Sequence, residues 1–448
     1  MNLEDLDVAV DNGSVDTVLL ALTDMQGRLQ GKRLHGRYFM DEVVQGGSEG
    51  CNYLLAVDVD MNTVDWYAMS SWNSGYGDFV MKPDCSTLRP VPWQPGTAMV
   101  LADLETTGGE AVYASPRQIL RRQLDRLAAH GLTAYAGTEL EFVLYKDSYE
   151  QASDKNYRDL IPANQYNVDY SLLGTARVEP LLRRIRNDMY GAGLIPESAK
   201  GECNFGQHEI AFRYDEALKA ADNHVIYKNG AKEIAAQEGM ALTFMAKPNA
   251  REGNSCHIHF SLRGEDGQSA MLGSKKAHLS ETGERVLAGL LATMREFSLL
   301  FAPNINSYKR YAPGSFAPTA LRWGVDNRTC ALRIAGHGQG MRVENRVPGG
   351  DVNPYLAIAA LVAGALHGIE NELSLEDEFV GNAYDDATAE RVPTTLREAS
   401  LLWGTSQVAL DAFGDDVVKH YANMATIELN AFDAAVTDWE LRRGFERL

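Results

Sequence analysis

Polar and apolar residues alternate in several short stretches of this chain, most clearly in Gly137-Thr138-Glu139-Leu140-Glu141-Phe142. Side chains two apart share a face of a strand, so Glu139 and Glu141 look one way while Leu140, Phe142 and Leu144 look the other. Residues 254–262 repeat the pattern, with Cys256, Ile258, Phe260 and Leu262 on one face and His257, His259 and Ser261 on the other. Shorter apolar runs predict strands at 18–22, 53–59, 98–101, 241–245, 330–334 and 341–347. Helical spacing takes over elsewhere. Ser115-Pro116 supplies an N-cap and a first-turn proline for a helix whose stripe is Ile119, Leu120, Leu124 and Leu127, and Gly131 ends it. Further helices are predicted at 178–190, 215–239 and 280–301, with a mostly helical tail after Asn353.

The first hundred residues read as strand and turn. Met25-Gln26-Gly27-Arg28 is a turn, 66–78 is an ordered loop rich in Trp, Ser, Gly and Tyr, and Pro83, Pro90, Pro92 and Pro95 punctuate the approach to 98–101. A boundary is expected within 105–115, giving a small domain at 1–108 and a larger one at 109–448. No internal repeat or low-complexity segment interrupts either part.

Charge narrows the function. The formal net charge is -19, which opposes general binding to nucleic acid. Against that background Lys309, Arg310, Arg322, Arg328, Arg333, Arg342 and Arg346 crowd into one short stretch, as a pocket for a small anionic ligand requires. The five cysteines are scattered without a C-x-x-C pattern, so neither a disulfide framework nor a zinc knuckle is expected. No apolar run reaches the roughly 18 residues of a membrane span, and acidic residues fill the N-terminus, so a cytoplasmic protein without membrane association is expected.

Four predicted strands present polar groups at every second position: Glu139 and Glu141; Gln207 and Glu209, just after Glu202; His257, His259 and Ser261; Arg342, Glu344 and Arg346. An isolated Glu-x-Glu is ordinarily a solvated strand face. Several carboxylates with one imidazole form a hard, oxygen-rich set suited to Mg²⁺ or Mn²⁺ holding phosphate.

Taken in order, these residues resemble the glutamine synthetase family. The resemblance rests on Gly206-Gln207-His208-Glu209 after Glu202, the His257-x-His259 strand ending in Ser261, Asn306-Ser307-Tyr308-Lys309-Arg310 with Pro313-Gly314, and Asn327-Arg328. It continues through Arg333 and Arg342-x-Glu344-x-Arg346 to Asn353-Pro354-Tyr355. It implies an α+β fold, with a small N-terminal β-grasp-like domain followed by a catalytic domain whose curved antiparallel half-barrel sheet is backed by helices. By resemblance Glu141, Glu202 and Glu209 hold one metal ion and Glu139, His257 and Glu344 another, among two or three Mg²⁺ or Mn²⁺. Glu197, His259, Ser261, Arg333 and Arg342 match positions that contact ATP. Gly253, Arg310, Arg328 and Arg346 match the glutamate and phosphate positions, with Arg328 stabilising the transferred phosphoryl group. The resemblance also implies a ring-shaped homo-oligomer, a dodecamer, with active sites between subunits. Tyr384 lies where bacterial relatives carry a nucleotidylated tyrosine, although an exposed structural tyrosine is the expectation here.

Departures from the family pattern point to the amine. Ammonia-using members place a glutamate six residues after the lysine-arginine motif, where this chain has Phe316, and the loop lining their ammonium pocket reads Asp65-Trp66-Tyr67-Ala68 here. Gln339 replaces a lysine expected at a nucleotide contact, and Glu252 replaces the usual asparagine before Gly253. Ammonium is small and strongly hydrated and needs several acceptors, whereas an aromatic ring favours an amine with a carbon chain. The chain therefore resembles γ-glutamylamide synthetases, ATP-dependent ligases that join L-glutamate to a primary amine such as ethanolamine, a polyamine or a small alkylamine. Asp65 and Glu252 are candidate bases for that amine, with Phe316 at its pocket. A true glutamine synthetase using ammonium is the alternative within the family. A catalytically silent sensor is the alternative outside catalysis, and it would be marked by lost metal ligands.

Overall fold

The computed structural model describes residues 1–448, the side chain of Lys276 excepted. A short helix, Leu3–Asp11, capped by the Asn2 side chain, leads into a first sheet of β1 (Thr17–Thr23), β2 (Leu29–His35), β3 (Ser48–Cys51), β4 (Asp78–Pro90) and β5 (Thr97–Thr106). Their order is β2-β1-β5-β4-β3, with β1 and β5 parallel and the other neighbours antiparallel. This mixed sheet around a parallel pair is the β-grasp-like arrangement expected.

Two differences from the sequence reading have physical causes. Residues 53–59 do not form a strand: Asn52–Leu55 is a 3-10 turn that buries Leu55, and Ala56 and Val57 after it are buried too. A short apolar run carries no period that separates a strand from a turn of helix. Conversely β4 was hidden by its prolines. They are tolerated because β3 pairs only with 78–81, so Pro83 and Pro90 meet no ladder on that edge.

The second sheet contains β6 (Leu132–Tyr145), β7 (Pro196–Gly201), β8 (Gln207–Phe212), β9 (Asp215–Glu216), β10 (Ala241–Thr243), β11 (Cys256–Gly264), β12 (Trp323–Val325), β13 (Leu332–Ala335) and β14 (Arg342–Asn345). Its order is β12-β13-β14-β11-β6-β8-β7, open at both ends, with β9 and β10 also paired to β6. All pairs are antiparallel except β12 with β13. Helices Pro116–Ala128 and Ala217–Gln237 back this half-barrel. Helix Pro354–Glu370 is buried along nearly its whole length and packs against Glu281–Thr293. There the backbones touch: a Cβ on Gly368 would lie 1.9 Å from the Arg285 carbonyl. The helix expected over 280–301 is broken, resuming as Ser298–Phe301.

One continuous apolar core runs through both sheets, so residues flanking the proposed division at 108 and 109 share buried contacts. Polar links cross it too. The Asn353 side chain donates to the Asp24 and Met25 carbonyls, each at 3.1 Å. Arg117, in Pro116–Ala128, donates to Asp84 of β4 (2.7 Å), Asp103 of β5 (2.7 Å) and Asp222 of Ala217–Gln237 (2.9 Å). Tyr355 adds a 2.6 Å bond to Asp222. Removing one partner from a buried ionic cluster leaves the others uncompensated, so Arg117→Met is expected to lower stability by roughly 3–5 kcal/mol. Urea unfolding would measure it, and a loss under about 1 kcal/mol would show that this cluster does not join the two sheets.

Candidate active site

The register of β6 assembles the site. Glu139 lies opposite His257 of β11 across one edge, and Glu141 lies opposite Glu209 of β8 across the other. Glu344 of β14 lies opposite His259, one pleat from His257. Glu202 follows β7, whose Lys200 pairs with Glu209. The result is two clusters, Glu139, His257 and Glu344 in one and Glu141, Glu202 and Glu209 in the other, each with ligand atoms within 4.8 Å of one another. These are the two sets the sequence implied. Carboxylate oxygens with a single imidazole fit hard divalent cations such as Mg²⁺ or Mn²⁺.

Neighbouring side chains fix the orientation of these groups. The Ser255 N–H (2.7 Å) and the Gln207 amide (3.1 Å) both donate to one Glu141 oxygen, Oε2, leaving Oε1 for a cation. Arg333 (2.7 Å) and Arg346 (2.5 Å) donate to the two oxygens of Glu344. Arg342 Nε donates to His259 Nδ1 at 2.9 Å, so the ring proton sits on Nε2 and faces Glu139 Oε1 at 2.8 Å. His259 and Arg342 thus orient a metal-cluster carboxylate from the side where nucleotide contacts were expected.

Electrostatics divide the carboxylates. Burial and the charge of Glu139 push Glu209 up to about 8. Burial also opposes ionisation of Glu344, but His257 and Arg346 outweigh it and hold that group at about 2. For Glu139 the hydrogen bonds from His257 and His259 likewise overcome burial and keep it well below the usual carboxylate range. Burial and the charge of Arg346 lower His257, which favours the neutral imidazole that binds metals.

Both clusters open into a cavity of about 360 Å³ that also exposes Gly253, Arg310, Phe316, Arg328, Arg333 and Arg346. Arg310 and Arg346 are each 3% exposed, and their Nε atoms have no protein partner, as befits donors for an anionic ligand. Arg328 is more open, 3.9 Å from Asp326. A neighbouring cavity, reached past Glu139, is lined by Glu197, His259, Ser261, Gln339 and Arg342. Glu197 falls in a bulge of β7, between Pro196 and Ser198. Arg333 faces the first cavity rather than the second.

Phe316 stands 55% exposed at the cavity rim with φ +57, a left-handed conformation that costs a bulky residue about 1–2 kcal/mol. Its carbonyl accepts from Arg346 at 3.3 Å, and the next carbonyl, Ala317, accepts from the Tyr384 hydroxyl at 3.0 Å. Tyr384 is therefore half-buried and braces the Phe316 loop, contrary to the expected exposed tyrosine. Asp65 is not brought to the cavity of its own chain. It is exposed on a loop beside Trp66, which is 87% exposed.

Several wall residues were not singled out from sequence. Lys200 contacts Glu202 and lies 3.5 Å from Glu209; its place two residues before Glu202 was the available signal. Asp169 and Tyr170 come from the polar stretch before helix Glu179–Gly191, which carries no period. Cys203, rather than Cys256, is the thiol on the wall, and burial together with Asp169 pushes it up to about 11, so it is no nucleophile at neutral pH.

Paired carboxylate clusters on an open antiparallel sheet, ringed by arginines and preceded by a β-grasp-like sheet, define a metal-dependent phosphoryl-transfer site of the glutamine synthetase type. Residues 113–444 match the family model described as glutamine synthetase, catalytic domain, and the chain belongs to that family. It is 66% identical to the gamma-glutamylethanolamide synthetase of Streptomyces coelicolor over 448 residues, covering 100% of this chain and 96% of that one. It is 40% identical to a glutamate–isopropylamine ligase of a Pseudomonas species, covering 97% and 96%. Among solved structures, ligand-free GmaS superposes with a TM-score of 0.87 at 27% identity, covering 99% of this chain and 100% of that one.

Glu209 provides a test through linkage. Its pKa is raised in the fold, so the metal-free protein loses stability as pH climbs from the unfolded value near 4.5 through about 8. In EDTA at pH 8, Glu209→Gln is expected to melt higher than the parent by about 2–4 °C, with the difference vanishing near pH 4.5. Added Mg²⁺ should stabilise the parent more than the variant. Equal melting at pH 8 would contradict the burial of Glu209 with only partial compensation from Lys200.

Proposed function

We propose that this chain is an ATP-dependent ligase that joins the γ-carboxylate of L-glutamate to a short primary organic amine, of which ethanolamine is the first candidate. The observation that carries this reading is end-to-end identity of 66% with a gamma-glutamylethanolamide synthetase. Phe316 at the cavity rim, where ammonia-using relatives place a glutamate, supports an amine with a carbon chain. All six expected metal ligands converge, which argues against a silent sensor.

The reaction has two steps. The γ-carboxylate of glutamate attacks the γ-phosphorus of ATP, forming γ-glutamyl phosphate and ADP. The amine nitrogen then attacks the acyl carbon, phosphate leaves with the C–O electron pair, and the nitrogen loses a proton. Bound divalent cations, two or three Mg²⁺ or Mn²⁺, supply charge neutralisation for the transferring phosphoryl group. Arg310, Arg346 and the Gly253 backbone receive glutamate and phosphate, and Arg328 meets the negative charge that develops on transfer. Glu197, His259, Ser261 and Arg342 line the nucleotide side, with Arg333 reaching it from the phosphate end.

Outside the two clusters the cavity wall offers only two carboxylates among the described residues, Asp169 and Glu252, as acceptors for the amine proton. Asp65 would serve only in a neighbouring subunit's site. Its exposure beside Trp66 supports a ring-shaped homo-oligomer, such as a dodecamer, in which this loop faces the next chain. Among the described residues no helix is long and apolar enough to cross a membrane. A cytoplasmic location is part of the proposal.

The test is phosphate release from ATP with Mg²⁺ and glutamate, comparing ammonium, methylamine, ethanolamine, isopropylamine, putrescine and spermine, with mass spectrometry of the products. A short organic amine is expected to exceed ammonium in kcat/KM by about 100-fold or more. Preference for ammonium would make the protein a glutamine synthetase, and absence of turnover with every amine would favour the sensor. Phe316→Glu is expected to cut the organic-amine preference by about tenfold or more, and an unchanged ratio would remove Phe316 from amine selection.

A further inference from the structure

A third cavity, of about 390 Å³, lies where the β1–β2 turn meets helix Ala217–Gln237, and it shares no lining residue with the catalytic cavity. Its charge runs against the rest of the molecule. In a chain of net charge -19, Arg28, Lys228 and Lys232 line it against a single carboxylate, Asp351. One oxygen of that carboxylate, Oδ2, accepts from Asn304 (2.9 Å) and Ser307 (2.6 Å), and the other, Oδ1, is buried without a hydrogen-bond partner.

The three cations differ in what they have to offer. Arg28 is committed to Asp24, the Val59 carbonyl and Gln26, so it contributes charge rather than donors. Lys228 uses one of its three N–H bonds on the Gly350 carbonyl at 2.7 Å. Lys232 has no hydrogen bond or ion pair among the described residues. The two lysines are one helical turn apart, and their ammonium groups lie 5.7 and 5.9 Å from the centre of the same ring, Phe244. Burial, reinforced by the charge of Lys232, pushes Lys228 down to about 8. Two like charges held over one apolar ring are stabilised together by a shared counter-charge. Lysine ammonium groups suit oxyanions as point-charge donors.

We propose that this cavity is a binding site for a small multivalent oxyanion, with Lys228 and Lys232 as its donors and Arg28 raising the local potential. A tricarboxylate and a phosphate present the same chemistry to these groups, and separate probes distinguish them. The site lies outside the catalytic cavity and takes none of its lining residues.

The experiment is isothermal titration calorimetry on the full-length protein in metal-free buffer, with tricarballylate in one arm and inorganic phosphate in the other. At least one probe is expected to bind the parent. Its affinity should fall by about tenfold or more in Lys232→Ala and in Lys228→Met, and stay unchanged in Arg328→Ala, which alters the catalytic cavity instead. Lys232 has no hydrogen bond or ion pair to lose among the described residues, only its place over the Phe244 ring, so an unchanged melting temperature for Lys232→Ala keeps the comparison clean. The assignment is overturned if Lys232→Ala binds like the parent, if Arg328→Ala abolishes binding, or if neither probe binds the parent at millimolar concentration.

Discussion

Along its fourteen residues β6 is paired on both edges, with β11 and β10 on one side and β8 and β9 on the other, and the pleat turns Glu139 and Glu141 to the same face. Each glutamate then meets a different neighbour. Glu139 is drawn into the cluster with His257 and Glu344, and Glu141 into the cluster with Glu202 and Glu209. A slip of one residue between β6 and either neighbour would turn the ligands to the apolar side and bring Leu140 and Phe142, both fully buried, to the cavity. Burying that apolar face is what holds the register, so the core beneath the sheet and the chemistry above it are set by one pairing.

The same closeness creates an electrostatic problem that the chain resolves unevenly. Glu344 is gripped by two arginines and stays ionised, whereas Glu209 is buried among other acids and favours its proton. One cluster is thus largely neutralised by fixed protein cations and the other leaves its charge for a mobile one, with Lys200 reaching part of it. The cost of holding acids together is characteristic of sites built for a cation rather than for stability.

Around this rigid sheet the adaptable parts are loops. The Phe316 carbonyl accepts from Arg346 and the next carbonyl from Tyr384, so this rim residue is tied to an arginine that also holds Glu344. On the far side, a run of hydrogen bonds connects the cationic cavity to a carboxylate cluster: Lys228 to Gly350, Gly350 to Asn254, and Asn254 through Gln207 to Glu141. Arg117 and Asn353 carry the first sheet's contacts into the same framework.

Residues separated by short, regular intervals were legible in the chain itself. Alternation placed Glu139 with Glu141 and His257 with His259, helix caps and stripes placed Pro116–Ala128 and Glu179–Gly191 to within a residue or two, and family order picked out the six residues of the two clusters. Period and spacing are local properties, which a sequence expresses directly. The partners of those residues were not legible: that Arg342 fixes the His259 tautomer, that Tyr384 braces Phe316, that Cys203 and Asp169 reach the cavity wall, and that Lys228 and Lys232 share one ring with Arg28 nearby. The β4 strand and the turn at Asn52–Leu55 were misread for the same reason, since prolines and short apolar runs take their meaning from the neighbouring strand. The sequence by itself determined which residues face together along each element. Only the tertiary structure decided which faces meet, because contacts between residues far apart in the chain depend on how whole elements bury their apolar sides against one another.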